Sequence, residues 1–493
     1  MATEEDHPAF KHEEGTEEEK GDQATEEDYP AIKDEEVTEE ENGDQATEED
    51  YPAIKHEEVT EGEKGDQATA ETSQSPAVDV KEANGDAHIW SAKVDKILDA
   101  CRRRDIEDLQ SLAESPGGFV TDVVRQQAWP VLLGVPVRFR SDDGDENPSD
   151  GADDDTVRLA ASESDYGSWK ALPPHNEEGQ VELDVARAFV YYPDYQSDEE
   201  SSRQKDELST LILSVLRRHP YLSYFQGYHD ICQVFLLVLP PALRSPAVAR
   251  LSTLRIRDFM LPNLKAAIAQ LRLIPAILHA TDPELWRHLS QTEPFFALSG
   301  TLTMYAHDVQ SLGEITRLFD VLLAREPVFS VYMFAQIVLD RRAELFETPA
   351  DEPEMLHSIL SKLPRDLDLD RLVARTSALA ARRPPESLGP AWSRGISANS
   401  VLKTARSTRA CAGQSADVGE YYFSQQVLEL QRAEARERVV KVLWRYRRPA
   451  AAVGFAVAFG VLAYWLRKTS LSSSGAGPLG YAVAVFSRFW HEL

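Results

Sequence analysis

Two short stretches of the 493-residue sequence combine residue types that could act together on a phosphoryl group. In the first, Val181, Asp184 and Arg187 recur at three-residue steps, which on a helix puts the carboxylate and the guanidinium on one face. The second, Tyr224-x-Gln226-Gly227-x-x-Asp230, opens the apolar run Ile231–Leu239. Gly227 lets the backbone turn tightly, which would present Gln226 just ahead of a buried helix. A guanidinium steered by a carboxylate can neutralise charge developing on a transferring phosphoryl group, and a glutamine amide can orient an attacking water. Together they are the parts that finish a GTPase site. Taken singly, each has a plainer reading: an Asp/Arg pair at i, i+3 is a common surface ion pair, and a Gln-Gly step is a common turn.

The elements that would hold these residues bring a third motif. Upstream, Arg125 and Trp129 stand one helical turn apart in the stretch Arg125–Gly134, with Trp129 read as a core anchor. Arg125…Trp129, then Asp184-x-x-Arg187, then Tyr224-x-Gln226-Gly227-x-x-Asp230, in this order, resembles the TBC domain of Rab GTPase-activating proteins. The resemblance runs from about His88 to about Pro385. It implies an all-α fold that supplies Arg187 and Gln226 in trans to a GTP-loaded Rab, with Gln226 standing in for the Rab's own glutamine. On this reading Asp184 orients Arg187, and Tyr224 and Asp230 steady the Gln226–Gly227 turn. GTP and Mg2+ belong to the partner, because the chain has no Gly-x-x-x-x-Gly-Lys-Ser/Thr loop; no cofactor and no metal site of its own is expected. The segments Tyr228–Ile231, Arg257–Met260, Phe296–Ser299 and Arg317–Asp320 resemble the TBC subgroup anchored in the endoplasmic reticulum, which implies a Rab of endoplasmic-reticulum-to-Golgi transport. The competing readings are a non-catalytic Rab-binding adaptor on the same fold, and a membrane-tethered scaffold.

The net charge of −31 is unevenly spread. The first seventy residues hold roughly twenty excess acids, so the remainder is only mildly acidic. No basic face suited to nucleic acid is evident. Three cysteines, Cys101, Cys232 and Cys411, lie far apart with no Cys-x-x-Cys, which fits neither a disulfide framework nor a zinc site.

Along the chain, Ala-Thr-Glu-Glu-Asp recurs at Ala2, Ala24 and Ala46, with a decayed copy from Ala68. Each unit is too poor in apolar residues to build a stacked core, so residues 1–87 read as disordered acidic repeats. The small islands Pro8–Phe10, Pro30–Ile32 and Pro52–Ile54 have an alternative reading as docking motifs for an unidentified partner, multiplied for avidity. Helical periodicity starts near Ile89, running unbroken over Ser91–Glu114, and recurs in amphipathic segments such as Asp206–Arg218 and Val328–Phe346, with no sustained strand alternation. Asp142–Asp155 reads as a solvated acidic insertion, since its spacing does not follow a calcium loop. Residues 386–448 read as a Ser/Ala/Gly/Pro-rich linker to Gly419 followed by a charged amphipathic helix. The run 449–467 carries no charge from Pro449 to Leu466 and predicts a transmembrane helix; 468–493 form a short tail. Arg445, Arg447 and Arg448 outnumber Arg467 and Lys468, so a single pass leaves the catalytic domain in the cytosol, with the membrane of the endoplasmic reticulum or early secretory pathway as the expected address.

Overall fold

The computed structural model describes residues 80–139, 158–159, 169–193, 197–364 and 366–470, the side chains of 80–89, 443, 446–452 and 469–470 being outside the described set. Residues 1–79 of the stretch read as acidic repeats, the insertion Asp142–Asp155 and the chain after Ser470 therefore lie outside the described residues, whereas Val80–Ala87, read with the repeats as disordered, form the first turns of a helix. The described chain is helical: α1 Val80–Arg103, α2 Ile106–Glu114, α3 Asp122–Leu133, α4 Glu178–Ala186, α5 Asp198–Arg218, α6 Tyr228–Val238 and α7 Pro241–Leu254. Then follow α8 Lys265–Leu271, α9 Leu273–Thr281, α10 Pro283–His288, α11 Leu298–Leu302, α12 Leu312–Ala324, α13 Val328–Asp340, α14 Arg342–Leu345, α15 Pro353–Leu360 and α16 Leu369–Arg382. The last are α17 Pro390–Ser393, α18 Val401–Thr404, α19 Thr408–Ala412 and α20 Ala416–Ser470. Among the described residues, strand pairing is confined to an antiparallel ladder, Val137 opposite Leu159 and Arg138 opposite Arg158.

Local chemistry sets the helix ends. Thr121, Ser197, Ser311 and Asp368 each cap a helix by accepting from a backbone N–H of the first turn. The helix expected unbroken over Ser91–Glu114 is two helices. Arg104 takes a left-handed φ of 53° and Asp105 caps α2 through Asp108 N, so apolar periodicity continued across a turn that it could not reveal. For the same reason the stretch expected as Val328–Phe346 divides into α13 and α14 at Arg341.

The core is centred on α3, which packs against α1, α12, α6 and α7. Trp129 is fully buried, 5.5 Å from Phe235 of α6 and 5.8 Å from Phe319 of α12 (ring centroids), and such aromatic pairs add about 0.5–1.5 kcal/mol beyond area burial. The same helix carries a buried charge. Arg125 donates from Nε and Nη2 to the two oxygens of Asp320, at 3.0 and 3.1 Å. Asp320 also accepts from Trp129 Nε1 at 2.9 Å and from Phe119 N at 2.9 Å. Burial works against the Arg125 charge, but Asp320 outweighs it and holds the guanidinium pKa above its ordinary value. Arg125 and Trp129 are thus two donors to one carboxylate, joining α3 to α12.

The stretch expected as a linker is folded. Trp392, Ile396, Val401, Leu402 and Cys411 are buried, and α19 packs on α3. The cause lies in Arg257 and Asp258, both buried, whose charges need partners. Arg257 donates to Asn399 O at 2.7 Å; Asp258 accepts from Val401 N at 3.0 Å, Gln270 Nε2 at 2.8 Å and Gln426 Nε2 at 2.9 Å. A flexible-looking composition therefore supplies the polar groups that two buried charges require. α20 then leaves the domain: Phe423 and Gln426 are buried on it, Glu434 meets Asn263 and Glu437 meets Lys265.

Candidate functional site

α4 carries the first motif and is bolted at its start. Glu178 accepts from Arg217 Nε and Nη2 of α5, at 2.6 and 2.8 Å, while Glu177 accepts from Tyr224 N at 2.6 Å. His175 Nε2 lies 3.0 Å from Leu222 O. The chain that leads into the second motif is thereby fixed against the beginning of the helix that ends at Arg187.

Asp184 is 1% exposed, yet its partner Arg187, the residue at the helix end, has a side chain 54% exposed. Arg187 Nη2 donates to Asp184 Oδ1 at 2.6 Å, and Gln180 Nε2 donates to the same oxygen at 3.1 Å. The other oxygen, Oδ2, accepts from the Tyr224 hydroxyl at 2.8 Å. Asp184 therefore joins the two motifs: one oxygen holds the arginine, the other holds the tyrosine two residues before Gln226. Burial and the Asp184 carboxylate both push the Tyr224 pKa far above its ordinary value, so the hydroxyl keeps its proton and remains a donor.

Gln226 is exposed. It is presented by Gly227, whose φ of 97° is left-handed and which caps α6. A Cβ there would lie 2.6 Å from Thr303 Cγ2, so the turn is held against the loop after α11 as well as against Asp184. Asp230 sits in the first turn of α6, where the helix dipole favours a carboxylate. Its Oδ2 is 3.0 Å from His307 Nδ1 and its Oδ1 is 3.3 Å from His229 Nε2. His229 Nδ1 in turn lies 3.2 Å from the Tyr224 hydroxyl. Beyond Arg187 the chain is tied back by Gln233, which accepts from Phe189 N at 3.0 Å and donates to Tyr192 O at 3.1 Å.

The structure thus gathers Asp184, Arg187, Tyr224, Gln226, Gly227 and Asp230 at one place, and sets Arg125 and Trp129 apart in the core. It adds Gln180, His229, Gln233 and His307, which sequence reasoning missed. His229 lay unremarked inside the second motif; Gln180 had a signal in its i, i+4 spacing to Asp184; His307 is far from Asp230 in sequence and had none. Leu183, Val190 and Tyr191, near Arg187 in sequence, are large apolar side chains exposed at 67%, 73% and 50%. Among the described residues no group of His, Cys, Asp and Glu forms a metal site.

The described chain is an all-helical domain in which one buried carboxylate, Asp184, links an exposed arginine to the turn that exposes a glutamine. The profile of the Rab-GTPase-TBC domain family matches residues 122–346. GTPase-activating protein gyp10 of Schizosaccharomyces pombe is 33% identical over 288 residues, 58% of this chain and 71% of its own length. TBC1 domain family member 20 of Homo sapiens is 32% identical over 376 residues, 74% of this chain and 86% of its own length. The crystal structure of the Ypt/Rab-GAP domain of Gyp1p superposes with a TM-score of 0.44 at 16% identity, covering 56% of this chain and 93% of that one. The chain belongs to the TBC family of Rab GTPase-activating proteins.

Proposed function

We propose that the protein accelerates GTP hydrolysis by inserting Arg187 and Gln226 into the nucleotide site of a GTP-loaded Rab. The observation that carries this reading is Asp184: buried, it holds the Arg187 guanidinium by one nitrogen, Nη2, and, through Tyr224, the chain leading into the Gln226 turn, while the Arg187 side chain stays 54% exposed and Gln226 is exposed. Arg187 would neutralise charge on the transferring phosphoryl group, and Gln226 would orient the attacking water. GTP and Mg2+ come with the Rab. Leu183, Val190 and Tyr191, near the arginine in sequence, are exposed and would offer apolar contact surface to a partner. Single-turnover hydrolysis with a panel of GTP-loaded Rab proteins tests the reading. Acceleration of one Rab should fall by about 10³–10⁵ with Arg187→Lys, because a point ammonium cannot reproduce the planar fork, and should fall steeply with Gln226→Ala. If both variants work as well as wild type, the dual-finger mechanism is wrong. GTP-dependent binding without acceleration would make the protein an adaptor.

We further propose that α20 anchors the protein in the membrane of the endoplasmic reticulum or early secretory pathway, where the Rab would be one of endoplasmic-reticulum-to-Golgi transport. Among the described residues no helix is long and apolar enough to cross a membrane. The run 449–467, however, includes residues whose side chains lie outside the described set. Support comes from the uncharged sequence of Pro449–Leu466 and from Val453, Phe455, Val457, Val461 and Leu462, exposed at 50–78% around the helix rather than on one face. The address itself rests on the segments that resemble the anchored subgroup. The full chain should float with membranes and resist alkaline extraction, whereas a chain ending at Arg448 should not; equal behaviour of the two would remove the anchor.

A further inference from the structure

The two histidines at Asp230 extend the finger mechanism, and the inference rests on that reading of Arg187 and Gln226. Contacts run without a gap from the surface to the arginine: His307 Nδ1 to Asp230 Oδ2, 3.0 Å; Asp230 Oδ1 to His229 Nε2, 3.3 Å; His229 Nδ1 to the Tyr224 hydroxyl, 3.2 Å. From there the hydroxyl reaches Asp184 Oδ2 at 2.8 Å, and Asp184 Oδ1 holds Arg187 Nη2 at 2.6 Å.

Counting protons shows that this chain cannot be fully satisfied with a neutral His229. The Tyr224 hydroxyl has one proton and two acceptors in reach, Asp184 Oδ2 and His229 Nδ1. If the ring proton of His229 is on Nδ1, the tyrosine oxygen accepts it and donates its own to Asp184. That arrangement supports Arg187, but it points the Nε2 lone pair at the Asp230 carboxylate. If the ring proton is on Nε2, it faces Asp230 favourably, and Nδ1 then draws the tyrosine proton away from Asp184. The carboxylate that grips Arg187 loses a donor. A protonated His229 would satisfy every contact, but the ring is buried, and burial lowers its pKa.

What decides between the two tautomers is the charge felt at Asp230, and that is set by His307. We propose that His307 is a positioning residue for GTPase stimulation: when it carries a proton it neutralises Asp230, leaves the His229 ring proton on Nδ1, and so keeps the Tyr224 hydroxyl on Asp184 and Arg187 in register. The His307 side chain is 57% exposed and exchanges protons with solvent directly. Its hydrogen bond to Asp230 raises its pKa; Asp308 reinforces this, while burial and Arg187 oppose it. The groups facing His229 are Asp230, Asp184, Arg187 and His307 itself. The cation therefore persists at and above the ordinary histidine range and is lost as pH rises through the raised value, so stimulation should weaken toward alkaline pH.

The test uses the full chain in detergent micelles and a GTP-loaded Rab that it accelerates, with stimulation expressed over the Rab's own rate at each pH. Wild-type stimulation should fall about fivefold between about pH 6.5 and 8.5, the difference expected between a charge-assisted and a neutral hydrogen bond in the chain. His307→Ala should be flat at the alkaline level, and His307→Lys, which keeps a cation, flat near the acid level. In protein labelled with ¹⁵N-histidine, the His229 signals should change from Nδ1-protonated to Nε2-protonated as pH rises in wild type, and stay Nε2-protonated in His307→Ala. If His307→Ala keeps the wild-type rate and pH profile while Arg187→Lys abolishes stimulation, the relay is refuted and the fingers stand. If Arg187→Lys is fully active, the finger reading fails instead, and an unchanged His229 tautomer across the pH range would refute the relay independently.

Discussion

Replacing Tyr224 with phenylalanine removes one oxygen from the point where the two motifs meet. The ring stays: it is buried and lies edge-on to Tyr228 with centroids 6.0 Å apart, so the change is close to isosteric. What is lost is the 2.8 Å bond to Asp184 Oδ2, together with the 3.2 Å contact to His229 Nδ1, which leaves that carboxylate held through Oδ1 by Arg187 and Gln180. A hydrogen bond to a charged group contributes about 1.5–3 kcal/mol. If the loss is felt where Arg187 must be held in the transition state, each 1.4 kcal/mol or so is a tenfold change, so kcat should fall by roughly ten- to 150-fold. That is well short of the fall expected for Arg187→Lys, because the guanidinium is still present. The assay is single-turnover hydrolysis of Rab-bound GTP at increasing concentrations of the protein, which separates maximal rate from half-saturation. The maximal rate should carry nearly all of the change, since Tyr224 is buried and offers no surface to the partner. A maximal rate within twofold of wild type, accompanied by the expected drop in melting temperature, would show that the hydroxyl holds the fold and not the finger.

Other positions give outcomes of different kinds. Asp320→Ala strips Arg125, Trp129 and Phe119 of their common acceptor and leaves a buried guanidinium poorly compensated; urea unfolding should show a loss of about 3–5 kcal/mol. Gly227→Ala meets both a φ of 97° and Thr303 Cγ2 at 2.6 Å, so it should cost about 1–3 kcal/mol and lower stimulation; adding Thr303→Ser, which removes that methyl, should recover part of both. Asp258→Ala leaves Gln270, Gln426 and Val401 N without their acceptor, and limited trypsin digestion should then cut first at Arg394, Lys403 or Arg406, sites that remain protected in wild type.

How far the site could be read in the sequence follows from what kind of signal each residue leaves. Asp184, Arg187, Gln226 and Gly227 were visible because helical spacing and a glycine turn are local. That Asp184 touches Tyr224 across 40 residues was not, since no spacing rule connects a helix end to a distant turn. Arg125 and Trp129 form a visible pair at one-turn spacing, yet their common acceptor Asp320 stands 195 and 191 residues away. The stretch 386–419 has the composition of a linker, but composition reports only the propensity of a segment to fold alone. Arg257 and Asp258 recruit it from outside, through backbone groups such as Asn399 O and Val401 N that any residue type could offer. His307 was invisible for a similar reason: what makes it notable is the carboxylate it faces.

The arrangement at Arg187 also accounts for why a buried acid should support an exposed base. An ion pair wholly in solvent is worth little and leaves a long side chain mobile, whereas a pair wholly buried would withhold the guanidinium from a partner. Here the carboxylate is 1% exposed and the arginine side chain 54%. Removed from water, Asp184 attracts Arg187 through a lower effective dielectric, and Tyr224 and Gln180 offset the cost of keeping its charge there. The bond from the arginine uses Nη2, so on the proposed mechanism most of the five donors of the fork would be left for phosphoryl oxygens. One end of the guanidinium is thus fixed in the protein alone, so insertion into a partner as proposed would cost little further ordering entropy. A lysine at this position would have a single nitrogen, which on the proposed mechanism would have to serve both Asp184 and the nucleotide.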